Sequence, residues 1–186
     1  LKSYSDEFYR HQCSAKLAPV KETLVGMKRL GIFVEVTTLL IPGLNTDPDE
    51  LEALAQFLVS ALSPDTPWHI SRFHPTYKLA DRPATSVDTL LKAREIGIAA
   101  GLKAAHDAEV VHRDLRPENI LIGRDSKPRL MNFDHARMPA SAAGTVSPIQ
   151  RDPDVPRAYL APELLDPSRK ATPAADLYGL GVILFE

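Results

Sequence analysis

Between His112 and Asn119 the chain reads "HRDLRPEN". A carboxylate, Asp114, lies five residues before an amide, Asn119, and Arg113 and Arg116 stand close to the acid on either side. An ionised carboxylate can take a proton from a hydroxyl, and an amide oxygen can share a hard cation with phosphate oxygens. Phosphoryl transfer calls for that combination, a proton acceptor beside oxygen ligands for Mg²⁺. Further along, "NFD" at 132–134 offers a second amide and carboxylate, Asn132 and Asp134, around Phe133. Ala161-Pro162-Glu163 and an apolar run carrying Asp176 follow. Elsewhere, His69 and His74 lie five apart with no third ligand at a useful spacing, which leaves a metal reading unsupported.

These residues need a folded frame. The chain has 186 residues, 44% hydrophobic and 25% charged, enough for a packed core in one medium domain or two small ones. The net charge of −2 gives no electrostatic case for nucleic acid or an anionic membrane. The single cysteine, Cys13, excludes an internal disulfide framework, and a reducing, cytoplasmic setting is the simplest expectation. The apolar runs "IFVEVTTLLI" and "LYGLGVILF" are too short to span a bilayer. The chain opens on Leu1 and stops at Glu186 inside an apolar pattern, so a fragment of a longer protein, or of two, is expected.

The first hundred residues alternate helix and strand patterns. Leu17, Val20, Leu24, Met27 and Leu30 recur at helical spacing, and Gly31 ends that run. Residues 32–41 read as a strand buried on nearly both faces. Asp47-Pro48-Asp49-Glu50 predicts a helix start, with Asp47 as cap and Glu50 closing a capping box. Leu51, Leu54, Leu58 and Leu62 form the stripe of that helix. "WHISRF" predicts a second strand, and Ser86 opens a helix that runs past Ala100. The order α-β-α-β-α is that of βαβ units around a parallel sheet. "NILIG" and "PRLMN" predict a later hairpin.

Two resemblances emerge. "LKSYSDEFYR", "VEVTTLLIPGLNTDPDEL" and "DTPWHISRFHPTYKLADRPAT" together resemble the C-terminal half of a radical S-adenosylmethionine enzyme of the AmmeMemoRadiSam type, related to pyruvate formate-lyase activases. The resemblance covers residues 1–103 and implies a partial (β/α) barrel, S-adenosylmethionine and a [4Fe–4S] cluster. The cysteine triplet of that family is absent here, and Cys13 cannot replace it. Lys2 and His74 match positions that line the S-adenosylmethionine pocket; solvation at the chain end and a bond to loop backbone are their alternative roles.

Residues 104–186 resemble a bacterial Ser/Thr protein kinase C-lobe, mainly helical, from the catalytic loop through the A-P-E motif to the following helix. The resemblance implies Asp114 as base, Asn119 as Mg²⁺ ligand and Arg116 in the place of a phosphate-contacting lysine. It gives structural roles to His112, Arg113, Phe133, Glu163 and Asp176, the last bracing the catalytic loop backbone. ATP, Mg²⁺ and a protein substrate are implied with it.

Several positions depart from the kinase pattern. Asn132 stands where a metal-binding Asp is usual, and Asp134 either supplies that carboxylate from a shifted place or is a polar loop residue. Pro156 occupies the site of a threonine that would bond the base. Thr145 and Ser147 are either phosphorylation sites that pair with Arg113 or ordinary loop residues. No G-x-G-x-x-G occurs in the sequence, so the loop is expected to be inactive in isolation. A helix shared by both families, about 86–107, joins the halves without a Gly, Ser or Pro linker, which points to a chimera. A pseudokinase-like binding module is the other reading.

Overall fold

A computed structural model describes residues 1–122, 128–130, 136–137, 157–166 and 169–185. The elements are α1 (Asp6–Cys13), α2 (Leu17–Arg29), β1 (Val36–Leu40), α3 (Pro48–Phe57), β2 (Trp68–Arg72), α4 (Val87–Asp107), β3 (Ile120–Ile122), β4 (Pro128–Leu130) and α5 (Pro173–Phe185). Chain contacts divide the protein into two compact units, the first built mainly from Leu1–Gly101, the second from Leu102–Ile122 and Pro128–Glu186. No helix among the described residues is long and apolar enough to cross a membrane.

The first unit is built around a βαβ step. β1 and β2 pair in parallel, with Val36 opposite Trp68 and Leu40 opposite Arg72. Parallel neighbours need a crossover, and α3 supplies it. α3 starts where its sequence dictates: Asp47 accepts from the Glu50 N–H at 3.1 Å, and Pro48 takes the first turn. The capping box does not close. The Glu50 carboxylate turns instead to the chain start, where it accepts from the Tyr4 N–H at 2.8 Å and from the Ser3 hydroxyl. Leu54, Phe57, Leu58 and Leu62 pack with Val34 and Val36, and Leu40 with Leu51 and Ala93. Apolar burial of this kind supplies the main drive to fold, at about 25 cal/mol per Å².

One expectation needs correction here. The first strand covers only Val36–Leu40 and buries one face: Val36, Thr38 and Leu40 point inward, while Thr37 and Leu39 are exposed. A sheet covered on one side makes no demand on its other face, however apolar the sequence. Ile32 and Phe33 precede the strand and are exposed. The helical spacing at 17–30 gives α2 as expected: Leu17 is buried, Val20, Leu24 and Met27 pack partly buried against the cores, and Leu30, past its end, is 79% exposed. A short helix, α1, was not foreseen; Ser5 caps it by accepting from the Phe8 N–H.

In the second unit β3 and β4 form an antiparallel pair, with Ile120 opposite Leu130. Val111, Ala161, Leu164, Ala171 and Ala175 form its described core.

Candidate active site

The loop that carries Asp114 begins where α4 stops. Glu109 takes a left-handed conformation, φ +59°, and its N–H returns to the His106 carbonyl at 2.9 Å while the Val110 N–H reaches Ala105. Val111 then makes an antiparallel bridge with Arg137, through bonds of 3.1 and 2.8 Å. The Arg137 guanidinium donates to the Ala171 carbonyl at 3.0 Å. His112 is fully buried, and Arg113 is held at φ +71°, a conformation a non-glycine residue adopts only under constraint.

The constraint comes from α5. The Asp176 carboxylate, whose side chain is wholly buried, accepts from the His112 N–H at 2.8 Å through Oδ2 and from the Arg113 N–H at 2.7 Å through Oδ1. His106 Nε2 lies 2.8 Å from the same Oδ2. A buried carboxylate is tolerated only when donors surround it, and these donors hold the loop to the helix. One turn along α5, a Cβ on Gly179 would stand 2.6 Å from the Leu115 carbonyl oxygen. Helix and loop therefore approach as closely as a glycine permits.

Beyond Leu115 the chain extends through Arg116 and turns in a single 3-10 turn, Pro117–Asn119. Pro117 sets φ for that turn. The turn brings Asn119 back to Asp114. Its Nδ2 donates to the Asp114 carbonyl and to Asp114 Oδ2, both at 2.7 Å. One amide thus ties both main chain and side chain of the acid, with its own oxygen on the side away from them. Arg116 Nε lies 3.4 Å from Asp114 Oδ2 without aiming an N–H at it. Asp114 Oδ2 is thereby crowded, and Oδ1 has no hydrogen bond from the described residues. The acid is 20% exposed, open to a small group from solvent. The Asp114 N–H donates to His112 Nδ1 at 3.3 Å, which assigns the imidazole proton to Nε2.

Asp114, Arg116, Asn119, His112, Arg113 and Asp176 are therefore brought together. Glu163 lies in a separate 3-10 turn, Pro162–Leu165, and is half-buried. Asn132, Phe133, Asp134, Thr145, Ser147 and Pro156 lie outside the described residues. In the first unit, Lys2 and His74 are both exposed. The Lys2 main chain is fixed, its N–H to the Tyr9 hydroxyl at 2.9 Å and its carbonyl to Asn45 Nδ2 at 2.7 Å, but no hydrogen bond or ion pair joins Lys2 to His74. His69 pairs with Glu35 at 3.1 Å. No group of three or more His, Cys, Asp or Glu among the described residues is placed to hold a metal ion.

Sequence reasoning missed His106 and Gly179. Nothing local marks a histidine at the end of α4 as a partner of Asp176. Gly179 left a faint trace, a glycine inside an apolar helix, which signals either a tolerated weakness or a close approach.

The model of the protein kinase domain matches residues 84–186, more than half of the chain and all of α4. The serine/threonine-protein kinases PknL and PknK of Mycobacterium tuberculosis are 39% identical over 89 residues and 37% identical over 90. Each alignment takes in 48% of this chain, and 21% and 8% of those proteins. An uncharacterized protein of Methanocaldococcus jannaschii is 45% identical over 104 residues, 56% of this chain and 31% of that protein. The chain thus spans less than a third of the length of each of these relatives.

Proposed function

This chain belongs to the protein kinase domain family through residues 84–186, and from that premise we propose that 104–186 form the catalytic-loop part of a C-lobe that phosphorylates a hydroxyl of a protein substrate. The observation that carries the reading is the double anchoring of the acid: Asn119 fixes Asp114 Oδ2, and Asp176 fixes the two amides before it. Asp114 then presents Oδ1 as the acceptor of the substrate hydroxyl proton. Asn119 would lend its amide oxygen to Mg²⁺, and Arg116 its guanidinium to a phosphate oxygen. The described donor set fits part of a Mg²⁺–ATP site, one carboxylate and one amide oxygen beside a cation. Asn132 and Asp134 belong to the same reading as the remaining metal contacts. Bound Mg²⁺–ATP would supply the phosphoryl group and neutralise its charge; the residues of this chain position the hydroxyl and take its proton. ATP, Mg²⁺ and a cytoplasmic setting come with the reading, the last supported by the free Cys13.

The same reading holds that the 186-residue chain alone is inactive. An amide at 132 binds Mg²⁺ less well than a carboxylate, and no glycine-rich phosphate loop occurs in the sequence. Incorporation of labelled phosphate into a generic protein substrate, abolished by Asp114→Ala, would overturn that part. A rise in melting temperature on adding ATP and Mg²⁺ separates a nucleotide-binding, pseudokinase-like module from a scaffold that ignores nucleotide.

Residues 1–103 fit a piece of a partial (β/α) barrel from the radical S-adenosylmethionine family, joined to 104–186 through the shared helix at 86–107. The sequence resemblance supports this, together with β1–α3–β2, the kind of parallel step such barrels repeat. Lys2 and His74 would then face S-adenosylmethionine. The described residues do not fit a [4Fe–4S] cluster, since Cys13 is the single thiol and no ligand group surrounds it. Reconstitution with iron and sulfide should leave the protein colourless; a stoichiometric cluster would show that the chain holds one after all.

A further inference from the structure

The two faces of α5 meet different surroundings. Ala175, Asp176, Gly179 and Leu180 are buried. Leu177, Tyr178, Leu184 and Phe185 are 57, 41, 44 and 93% exposed, and Gly181 between them is exposed too. Positions 177, 178, 181, 184 and 185 share one side of the helix, since steps of three or four residues return the chain to the same face. From Leu177 to Phe185 the sequence has no charged residue. A helix face that stays in water ordinarily carries charged and polar side chains, and a helix apolar all round is one that is covered all round. We propose that this face of α5 pairs with the same face of a second copy of this chain, antiparallel about a two-fold axis through Gly181.

The spacing makes the face its own complement. Leu177 and Phe185 stand four residues either side of Gly181, and Tyr178 and Leu184 stand three. A two-fold axis at Gly181 lays the Leu177–Tyr178 end of one copy on the Leu184–Phe185 end of the other, as an isologous contact requires. At the centre, a Cβ built on Gly181 meets no atom of the described residues within 4 Å, so its own unit makes no demand for glycine there. Glycine is unfavourable inside a helix, yet its bare backbone lets a second helix come close. The area is in keeping with a weak, reversible dimer. The four large side chains expose about 450 Å² per copy, a patch of the size that is often functional on a monomer. Pairing covers about 900 Å² from these positions alone, and exposed Ala174 beside them brings the total toward the ~1,000 Å² at which specific interfaces begin. With no charge on the face, apolar burial drives the pairing and nothing there selects a charged partner.

Sedimentation of the full chain tests this. At about 100 μM the weight-average mass should approach twice that of the monomer, and dilution to about 1 μM should return it toward one copy. Leu177→Glu and Leu184→Glu, both at exposed positions, should each stay monomeric at the higher concentration with helix content by circular dichroism unchanged. A wild type that is monomeric throughout overturns the proposal and gives the face to another occupant. An assembly that survives both glutamates overturns it by placing the contact elsewhere, and one that grows past the dimer overturns it because a two-fold contact closes on itself. Cross-linking reads the register. In a Cys13→Ser background, Gly181→Cys should form a disulfide-linked dimer under mild oxidation, because the axis sets the two 181 positions side by side. Leu177→Cys should not, since antiparallel pairing separates the two 177 positions by about 12 Å along the helices, beyond the reach of a disulfide. The reverse result overturns the proposal. If the glutamate variants do not fold, the cysteine pair decides alone. Neither readout involves phosphotransfer, so the kinase reading stands or falls separately.

Discussion

Asp176 shows how much one side chain can decide. Its carboxylate is buried and satisfied by donors from three segments, so exchanging it for an amide leaves one oxygen where two are used and sets an NH₂ against an N–H. Asp176→Asn should therefore cost about 3 kcal/mol in chemical denaturation. Gly179→Ala should cost about 1–3 kcal/mol, because its Cβ meets a main-chain oxygen that cannot swing aside. The two residues differ in how legible they were. Asp114, Asn119 and Asp176 announce themselves because their chemistry fixes residue type and spacing within short stretches. Gly179 and His106 do not, because what they need is set by chain arriving from far away in sequence. Leu115 decides one and Asp176 the other.

At the scale of elements, local signals were sound where they depend on local bonds. The Asp47 cap and the Pro48 start of α3 follow from the first turn alone. Asp47→Ala should lower stability by about 1 kcal/mol, read from the denaturation midpoint. Glu109 is the converse case, a left-handed residue at a helix end where glycine is at ease. Glu109→Gly should raise stability by about 0.5–1 kcal/mol, and a loss would show that the Glu109 side chain contributes more than its strain costs. The order α2, β1, α3, β2, α4 was readable from hydrophobic period and turn residues. The faces were not. "IFVEVTTLLI" is apolar throughout, and composition cannot reveal that only one side of β1 is covered. Glu50 had the right type for a capping box, yet the buried Ser3 and the Tyr4 amide compete for it more successfully.

Across the whole molecule, stability in acid should differ between the two units. The N–H of Leu17 and the guanidinium of Arg10 both bond the Asp6 carboxylate and hold its pKa below the ordinary 3.8. A carboxyl group with a lowered folded-state pKa contributes stability that is present above the unfolded value. That contribution is lost as pH falls through the folded one. The first unit should thus lose stability on acidification below the usual aspartate range, and Asp6→Asn should flatten that part of its melting-temperature profile. An unchanged slope would assign the acid sensitivity elsewhere. Following one unit apart from the other is possible because of Trp68, the single tryptophan. Its indole N–H bonds Thr38 Oγ1 at 2.9 Å, and a Cβ on Gly97 would stand 3.3 Å from its ring. The intrinsic emission of this protein is therefore a local thermometer for the βαβ step. The second unit carries no tryptophan, and its tyrosines are Tyr159 and Tyr178. Tryptophan emission therefore follows the unfolding of the first unit, and the second unit needs a reporter of its own before its unfolding can be read by the same signal.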